Sequence, residues 1–141
     1  MAKRVGSGVY RAPEAVPVAA LEAYAAHAGW RYVYFDLGAV ADKAALLELF
    51  ATRLSFPDYF GRNWDALFDC LQDYGSTAAG ELWVFDGAGD YGQRCGPDLT
   101  MLVDILQHVS EHRNEEPDPA ALWMTLRGSA PPLTALPELA L

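Results

Sequence analysis

Apolar and polar positions follow two different periods along this chain of 141 residues. Apolar residues that recur every three or four positions predict helices, and short runs rich in aromatic and β-branched residues predict strands. In chain order we predict a short strand at 8–10, a helix at 17–28, a strand from residue 31 with the sequence RYVYFDLGAV, helices at 42–54 and from 63 to about 74, a strand at 81–86, a helix from 97 to about 112 and a last strand at 121–126. The glycine-rich stretch GAGDYGQRCG at 87–96 predicts a long polar loop, and the tail from residue 128 has no clear period.

Residue types at the predicted helix ends agree with these boundaries. Pro17 and Pro97 suit a first helical turn, and Gly29 suits a helix stop. Asp42 and Asn63 belong to the types that cap helix N-termini through a side-chain oxygen. Strands separated by helical crossovers predict an α/β fold in which a mainly parallel sheet of three or four strands packs against helices.

Length and composition predict one globular domain over 1–141. The chain is 52% hydrophobic and 21% charged, which is typical of a folded protein. Ten Lys and Arg against 19 Asp and Glu give a net charge of −9. This acidity argues against nucleic-acid binding, which depends on cationic side chains at phosphates. It suits a basic partner, whose encounter the negative field would speed, but it also serves ordinary solubility.

The two cysteines, Cys70 and Cys95, are too few for a disulfide framework and lack metal-site spacing. Reduced thiols are the rule in the cytosol, so we expect a cytoplasmic protein. The N-terminal residues have no apolar run of a signal peptide behind them, and no stretch approaches the roughly 20 apolar residues of a membrane span. We therefore expect no membrane association.

The predicted helix that starts after Asn63 has two contrasting faces. One broad arc is apolar and predicts the core face: Trp64, Leu67, Phe68, Cys70, Leu71 and Tyr74. Asp65, Asp69 and Asp73 follow one another at i, i+4 and i+8 on the other side, where like charges destabilise a helix by a few tenths of a kcal/mol each. Asp69 has no Lys or Arg four positions away to pair with. The cluster suits a positive partner, although a solvated acidic face has the same pattern.

The loop before this helix adds two aromatic residues beside the acidic positions. It contains Asp58, Tyr59, Phe60 and Gly61. Aromatic side chains next to carboxylates are typical of a binding hot spot that faces a basic site. The same composition occurs in ordinary loops that are anchored in the core by Tyr or Phe, and both interpretations stay open.

Residues 56–71, FPDYFGRNWDALFDCL, resemble the binding loop and second helix of the barstar family. The order of an apolar residue, Pro, an acid, two aromatics, Gly, and Asn followed by a helix with Asp-Ala-Leu and Asp-Cys-Leu is kept without a gap. The resemblance covers about residues 30–127. It implies a barstar-like α/β layer and an inhibitor of small basic, guanyl-specific ribonucleases that blocks the active-site cleft, with no cofactor and no enzymatic activity.

The resemblance also implies roles for single residues. Asp69 would enter the nuclease's phosphate site and mimic an RNA phosphate, Asp65 would meet further basic groups, and Tyr59 would pack on the catalytic region. The full set of partner-binding residues that we expect is Tyr59, Phe60, Gly61, Asn63, Trp64, Asp65, Phe68, Asp69 and Asp73. We expect a monomer that binds its partner one to one.

Four departures from the family pattern bear on the identity of the partner. The chain has a strand and helix at about 8–28 ahead of the family-like part, a longer stretch at 87–96 and a tail at 128–141. Near the place where barstar has a further acidic contact, this chain has His108. The partner therefore need not be the ribonuclease that barstar binds, and a different toxin stays an alternative.

A carboxylate-dependent enzyme is the alternative from another class. Asp65 and Asp69 would then be metal ligands or an acid–base pair, but no further ligands stand at recognisable spacing. His108 and His112 are four positions apart, a spacing that can bind a metal, yet the sequence lacks a pattern such as H-E-x-x-H. We expect no metal site.

Overall fold

The strands form one parallel sheet. The structure is a computed structural model that describes residues 6–57, 60–75, 79–116 and 120–139. The strands in these ranges are β1 (Gly8–Ala12), β2 (Arg31–Asp36), β3 (Gly80–Asp86) and β4 (Ala121–Arg127). They lie in the order β1-β4-β3-β2, and every pairing between neighbours is parallel. The predicted α/β fold with a sheet of three or four strands is confirmed.

The predicted helices are present with ends close to those expected. They are α1 (Val18–Ala28), α2 (Lys43–Leu54), α3 (Trp64–Asp73) and the long α5 (Gly96–Asn114). Gly29 ends α1 in the left-handed conformation with φ 74°. The Asp42 carboxylate accepts a hydrogen bond of 3.0 Å from the Ala45 N–H and caps α2. None of the helices in the described ranges has the apolar length needed to cross a bilayer.

Helices cover both faces of the sheet. Leu21 and Ala25 of α1 are buried on one face, and the remaining helices pack on the other. Successive strand residues point to opposite faces, so Leu82 and Val84 of β3 meet the α1 side while Trp83 faces the other helices. Because both faces are covered, β3 and β4 are almost continuously buried.

The predicted loop at 87–96 is wrong, because residues Ala88–Arg94 form a further helix, α4. Ala88 and Tyr91 are buried in the core on the α5 side of the sheet. A Cβ on Gly89 would lie only 3.2 Å from the Gly128 Cα, so the glycine lets the helix approach the end of β4. Tertiary packing thus overrides the low helix propensity of a glycine-rich segment.

Two further segments differ from the sequence pattern. The strand predicted from residue 31 stops at Asp36, whose carboxylate accepts a 3.1 Å hydrogen bond from the Gly38 N–H and opens a short 3₁₀ helix, Leu37–Ala39. The tail without a period is packed, with Leu133 and Leu136 in the core. It also pairs with β1, since the Arg11 N–H donates to the Pro137 carbonyl at 2.8 Å.

Candidate functional site

Helix α3 exposes a row of three carboxylates that we call the acidic stripe: Asp65, Asp69 and Asp73. Leu67 and Leu71 on the opposite side of the helix are fully buried and hold it against the core. At its start, the Asn63 side-chain oxygen accepts a hydrogen bond of 2.8 Å from the Ala66 N–H, as the sequence predicts. The aspartates therefore project outward from a helix that is fixed at its first turn and along its apolar side.

The carboxylates of the acidic stripe are exposed to solvent. Among the ion pairs formed by the residues that the structure describes, none includes Asp65, Asp69 or Asp73. Burial raises the pKa of the neighbouring Cys70 thiol, and the negative charges of Asp73 and Asp69 raise it further. This surface thus presents negative charge to whatever approaches it.

A groove of about 510 Å³ opens beside the acidic stripe, between α3, α5 and the start of α2. Its lining residues are Lys43, Asn63, Trp64, Asp65, Phe68, Met101, Asp104, Ile105 and His108. Trp64 and Phe68 are half-buried: they pack against the core, as the helical pattern predicts, and also line this groove. Met101 is 42% exposed. The acidic stripe therefore has an accessible apolar surface next to it.

The groove rim carries charges of both signs. His108 Nδ1 lies 2.8 Å from the Asp104 carbonyl oxygen. This hydrogen bond, together with the Asp104 carboxylate, raises the pKa of His108. On the α2 side, Lys43 Nζ lies 5.4 Å from the centre of the Trp64 ring. His108 marks a place where the chain departs from the family pattern. In the structure it lines the groove beside α3.

Phe60 anchors the loop before α3. Phe60 is only 4% exposed and packs edge-on against Phe56, with ring centres 5.1 Å apart. It has little surface to offer a partner, so the anchoring role, which the sequence left open, applies to Phe60. Gly61 is exposed beside it. Asp58 and Tyr59 lie outside the described residues.

Part of the site escaped the reasoning from sequence. Met101 and Ile105 are not among the partner-binding residues that the sequence predicts. With His108 they recur at i, i+4 and i+7 and so share one face of α5. That signal was available, but nothing in the local pattern says which element this face meets. As for metal ligands, no group of three or more His, Cys, Asp or Glu side chains within the described ranges is arranged to hold an ion.

Comparison with known protein families identifies a match that covers most of the chain. A protein-family model described as Barstar (barnase inhibitor) matches residues 30–125. The matched segment contains the acidic stripe, the loop before it and the α5 side of the groove, whereas β1 and α1 precede it. A search of curated proteins finds no match to the chain.

Proposed function

We propose that this chain, which belongs to the barstar family of barnase inhibitors, is a proteinaceous inhibitor of a small basic ribonuclease. The observation that carries the proposal is the acidic stripe. Its carboxylates are exposed and lack an ion-pair partner among the described residues, on the helix that lies inside the family match. The family is one of inhibitors rather than enzymes.

The proposed mechanism is occupation of the nuclease's phosphate site by a carboxylate. Asp69 is the middle member of the acidic stripe and takes the place of an RNA phosphate among the cationic side chains of the active site. Asp65 binds further basic groups on one side of it, and Asp73 extends the negative surface on the other. Charge-assisted hydrogen bonds of this kind are about twice as strong as neutral ones, which supports tight blockade of the cleft.

Apolar groups next to the carboxylates strengthen such contacts by excluding water. Trp64 and Phe68 line the groove beside Asp65 and are accessible enough to pack on a partner. At the start of α3, Gly61 lets the partner approach the backbone closely, and the Asn63 side chain contacts the partner. Tyr59 supplies the aromatic contact expected from the family. We propose a one-to-one complex, formed in the cytoplasm to protect cellular RNA from the cell's own nuclease or from a neighbour's toxin.

The charge of the whole chain favours the encounter. A net charge of −9 produces a field that attracts a basic partner over a distance of about a Debye length, roughly 8–10 Å at moderate salt. Such steering raises association rates and makes them fall as salt is added.

Titration of a barnase-type ribonuclease with the purified protein tests the proposal. RNA cleavage is followed with a fluorogenic substrate while inhibitor is added at fixed nuclease concentration. We expect cleavage to fall to zero at one equivalent. Full cleavage at a hundredfold molar excess would contradict the proposed function for this class of nuclease.

Asp69→Ala tests the role of the central carboxylate. We expect inhibition to weaken by at least about 2 kcal/mol, because the variant leaves buried cations of the nuclease unpaired. The complex of barnase with barstar is itself one source of this magnitude, so the value is an expectation taken from the family. The inhibition constants of wild type and variant give the difference.

Glu22→Ala is the matched control. Glu22 is an exposed carboxylate on α1, across the sheet from α3, so its removal changes the net charge equally without touching the acidic stripe. We expect it to alter inhibition by less than about 0.5 kcal/mol, as for an ordinary surface change. If both variants have equally small effects, Asp69 is not an anchor.

A different toxin is the second candidate partner. The observation that favours it is the mixed character of the groove rim, where the Lys43 cation and the imidazole of His108 stand beside Asp65 and Asp104. The Lys43 cation at this rim opposes an arginine or lysine that approaches the groove. If barnase is not inhibited, the same titration with other small basic ribonucleases distinguishes a changed partner from a lost inhibitory function.

A further inference from the structure

We propose that Arg62 is a positioning residue for this interaction, one that holds Phe60, the buried anchor before α3, in a binding-competent arrangement. The inference rests on the proposed function, because it assigns a role within the same surface. Arg62 is a cation beside an acidic surface, and its contacts point back into the protein.

Three contacts engage the Arg62 guanidinium at once. Its Nε and Nη2 atoms each lie 2.9 Å from Glu48 Oε2 on α2. Its Nη1 donates a hydrogen bond of 2.8 Å to the Phe60 carbonyl oxygen. The guanidinium carbon also lies 5.2 Å from the centre of the Phe60 ring, within the range of a cation–π contact. One side chain thus joins the loop before α3 to the neighbouring helix.

The residue held by Arg62 is the anchor of the loop. Phe60 is buried, and its N–H donates a 2.9 Å hydrogen bond to the Pro57 carbonyl. Pro57 and Phe60 bracket Asp58 and Tyr59 in the sequence, and those two residues lie outside the described ranges. Fixing Phe60 therefore fixes the end of this loop that adjoins α3, and pre-ordering part of a contact surface reduces the entropy lost on binding.

Geometry distinguishes this role from that of a plain surface charge. A cation on the approach side repels a basic partner, so removing it should tighten binding if charge were all that mattered. Removing a positioning residue should weaken binding even though the protein becomes more acidic. Lysine keeps the charge but cannot reproduce the planar fork that reaches Glu48 and the Phe60 carbonyl together. The two roles predict opposite signs for Arg62→Ala.

Association and dissociation rates with barnase, measured by stopped flow, test the sign. We expect Arg62→Ala and Arg62→Lys each to raise the dissociation rate roughly tenfold, since changes at an interface act mainly on dissociation. Arg53→Ala is the matched control, because Arg53 is an exposed arginine in the last turn of α2, the helix that carries Glu48. It removes the same charge and should leave the dissociation rate unchanged. Binding by Arg62→Ala that is as tight as wild type, or tighter, overturns the proposal.

A double variant tests whether Arg62 acts through Tyr59. In a Tyr59→Ala background the loop has lost its aromatic contact, so Arg62→Ala should change the dissociation rate less than about twofold further. A purely structural effect of Arg62 would not depend on Tyr59. An undiminished tenfold effect in this background would show that Arg62 acts elsewhere and would overturn its role as a positioning residue.

Hydrogen exchange in the unbound protein separates this inference from the proposed function. The Phe60 amide, which donates to Pro57, should exchange roughly tenfold faster in Arg62→Ala than in Arg53→Ala. Equal exchange in the two variants overturns the inference whatever the nuclease assay gives. Faster exchange in a protein whose wild type inhibits no nuclease would support the loop restraint and contradict the proposed function. Exposed ion pairs contribute little to stability, so both variants should stay folded in urea titrations.

Discussion

At the scale of single residues, Asp86 and Arg127 form an ion pair at the carboxyl edge of the sheet. The Tyr34 hydroxyl donates to Asp86 Oδ2 at 2.6 Å. Arg127 Nη2 donates to the carbonyls of Glu14 and Val16, at 3.1 and 3.0 Å. The ends of β2, β3 and β4 are thereby tied to the segment that leads into α1.

The charge state of Asp86 gives this network a pH dependence. Burial by itself raises the pKa of Asp86, but the hydrogen bonds from Tyr34 and Arg127 outweigh burial and hold its pKa below the usual range. An aspartate with a lowered pKa in the folded state stabilises the protein at pH values above its unfolded pKa, about 3.9. That stabilisation is lost as the pH falls through the folded-state value. The hydrogen bond to Asp86 also raises the pKa of Tyr34 to about 12.

Asp86→Asn should destabilise the protein by about 1–3 kcal/mol at pH 7, because Arg127 loses its charged partner. The difference in unfolding free energy between wild type and variant should shrink as the pH falls below about 4, where only wild type binds the extra proton. Urea denaturation of both proteins from pH 7 to pH 2.5 measures this. A difference that stays constant to pH 2.5 would contradict the assignment.

At the scale of elements, α4 depends on close backbone approach. Gly87, which precedes α4, has φ 72°, and a Cβ there would lie 2.5 Å from the Gly38 backbone nitrogen. Gly29 after α1 has nearly the same φ, 74°, but a Cβ there would meet nothing within 4 Å. The two glycines share the left-handed conformation and differ in the space around them.

This pair separates conformational strain from steric overlap. Gly29→Ala should destabilise the protein by about 1–2 kcal/mol, the strain of a left-handed non-glycine residue. Gly87→Ala adds a clash with the segment after β2 and should be destabilised by about 1–3 kcal/mol more. Urea denaturation midpoints of the two variants give the comparison. Equal losses would mean that the contact between α4 and the Leu37–Ala39 turn is looser than described.

At the scale of the whole molecule, the acidic stripe and α1 lie on opposite sides of one sheet. Leu21 is fully buried among Leu82, Val84 and Trp123 on the face that α1 covers. This layer precedes the segment matched by the family model, yet β1 pairs with β4 of that segment. We infer that residues 6–29 are part of a single folding unit with the rest of the chain.

Leu21→Ala tests this inference. It should cost about 2–5 kcal/mol of stability, the range for a fully buried leucine. Inhibition by the folded protein should not change, since the acidic stripe is across the sheet. Urea unfolding gives the first quantity, and active-site titration of the nuclease gives the second. A loss below about 1 kcal/mol would indicate that α1 is not an integral layer.

Much of the fold and the orientation of the acidic helix follow from the sequence. The periods of apolar residues predicted the helices α1, α2, α3 and α5 and the parallel sheet, because burial on one helix face or both sheet faces leaves a local pattern. The capping hydrogen bonds at Asp42 and Asn63 each join residues only three positions apart in the sequence. The outward position of Asp65, Asp69 and Asp73 required only helical spacing.

Only the tertiary structure decided the features built from residues far apart in the chain. Helix α4 packs where Gly89 approaches Gly128, and the groove is lined jointly by Met101 of α5 and Trp64 of α3. The Arg62 contact with Glu48 likewise joins two elements. A local pattern records which side of an element is buried but not which element covers it. The sequence by itself therefore determined the acidic stripe, and the packing of distant segments determined the surface around it.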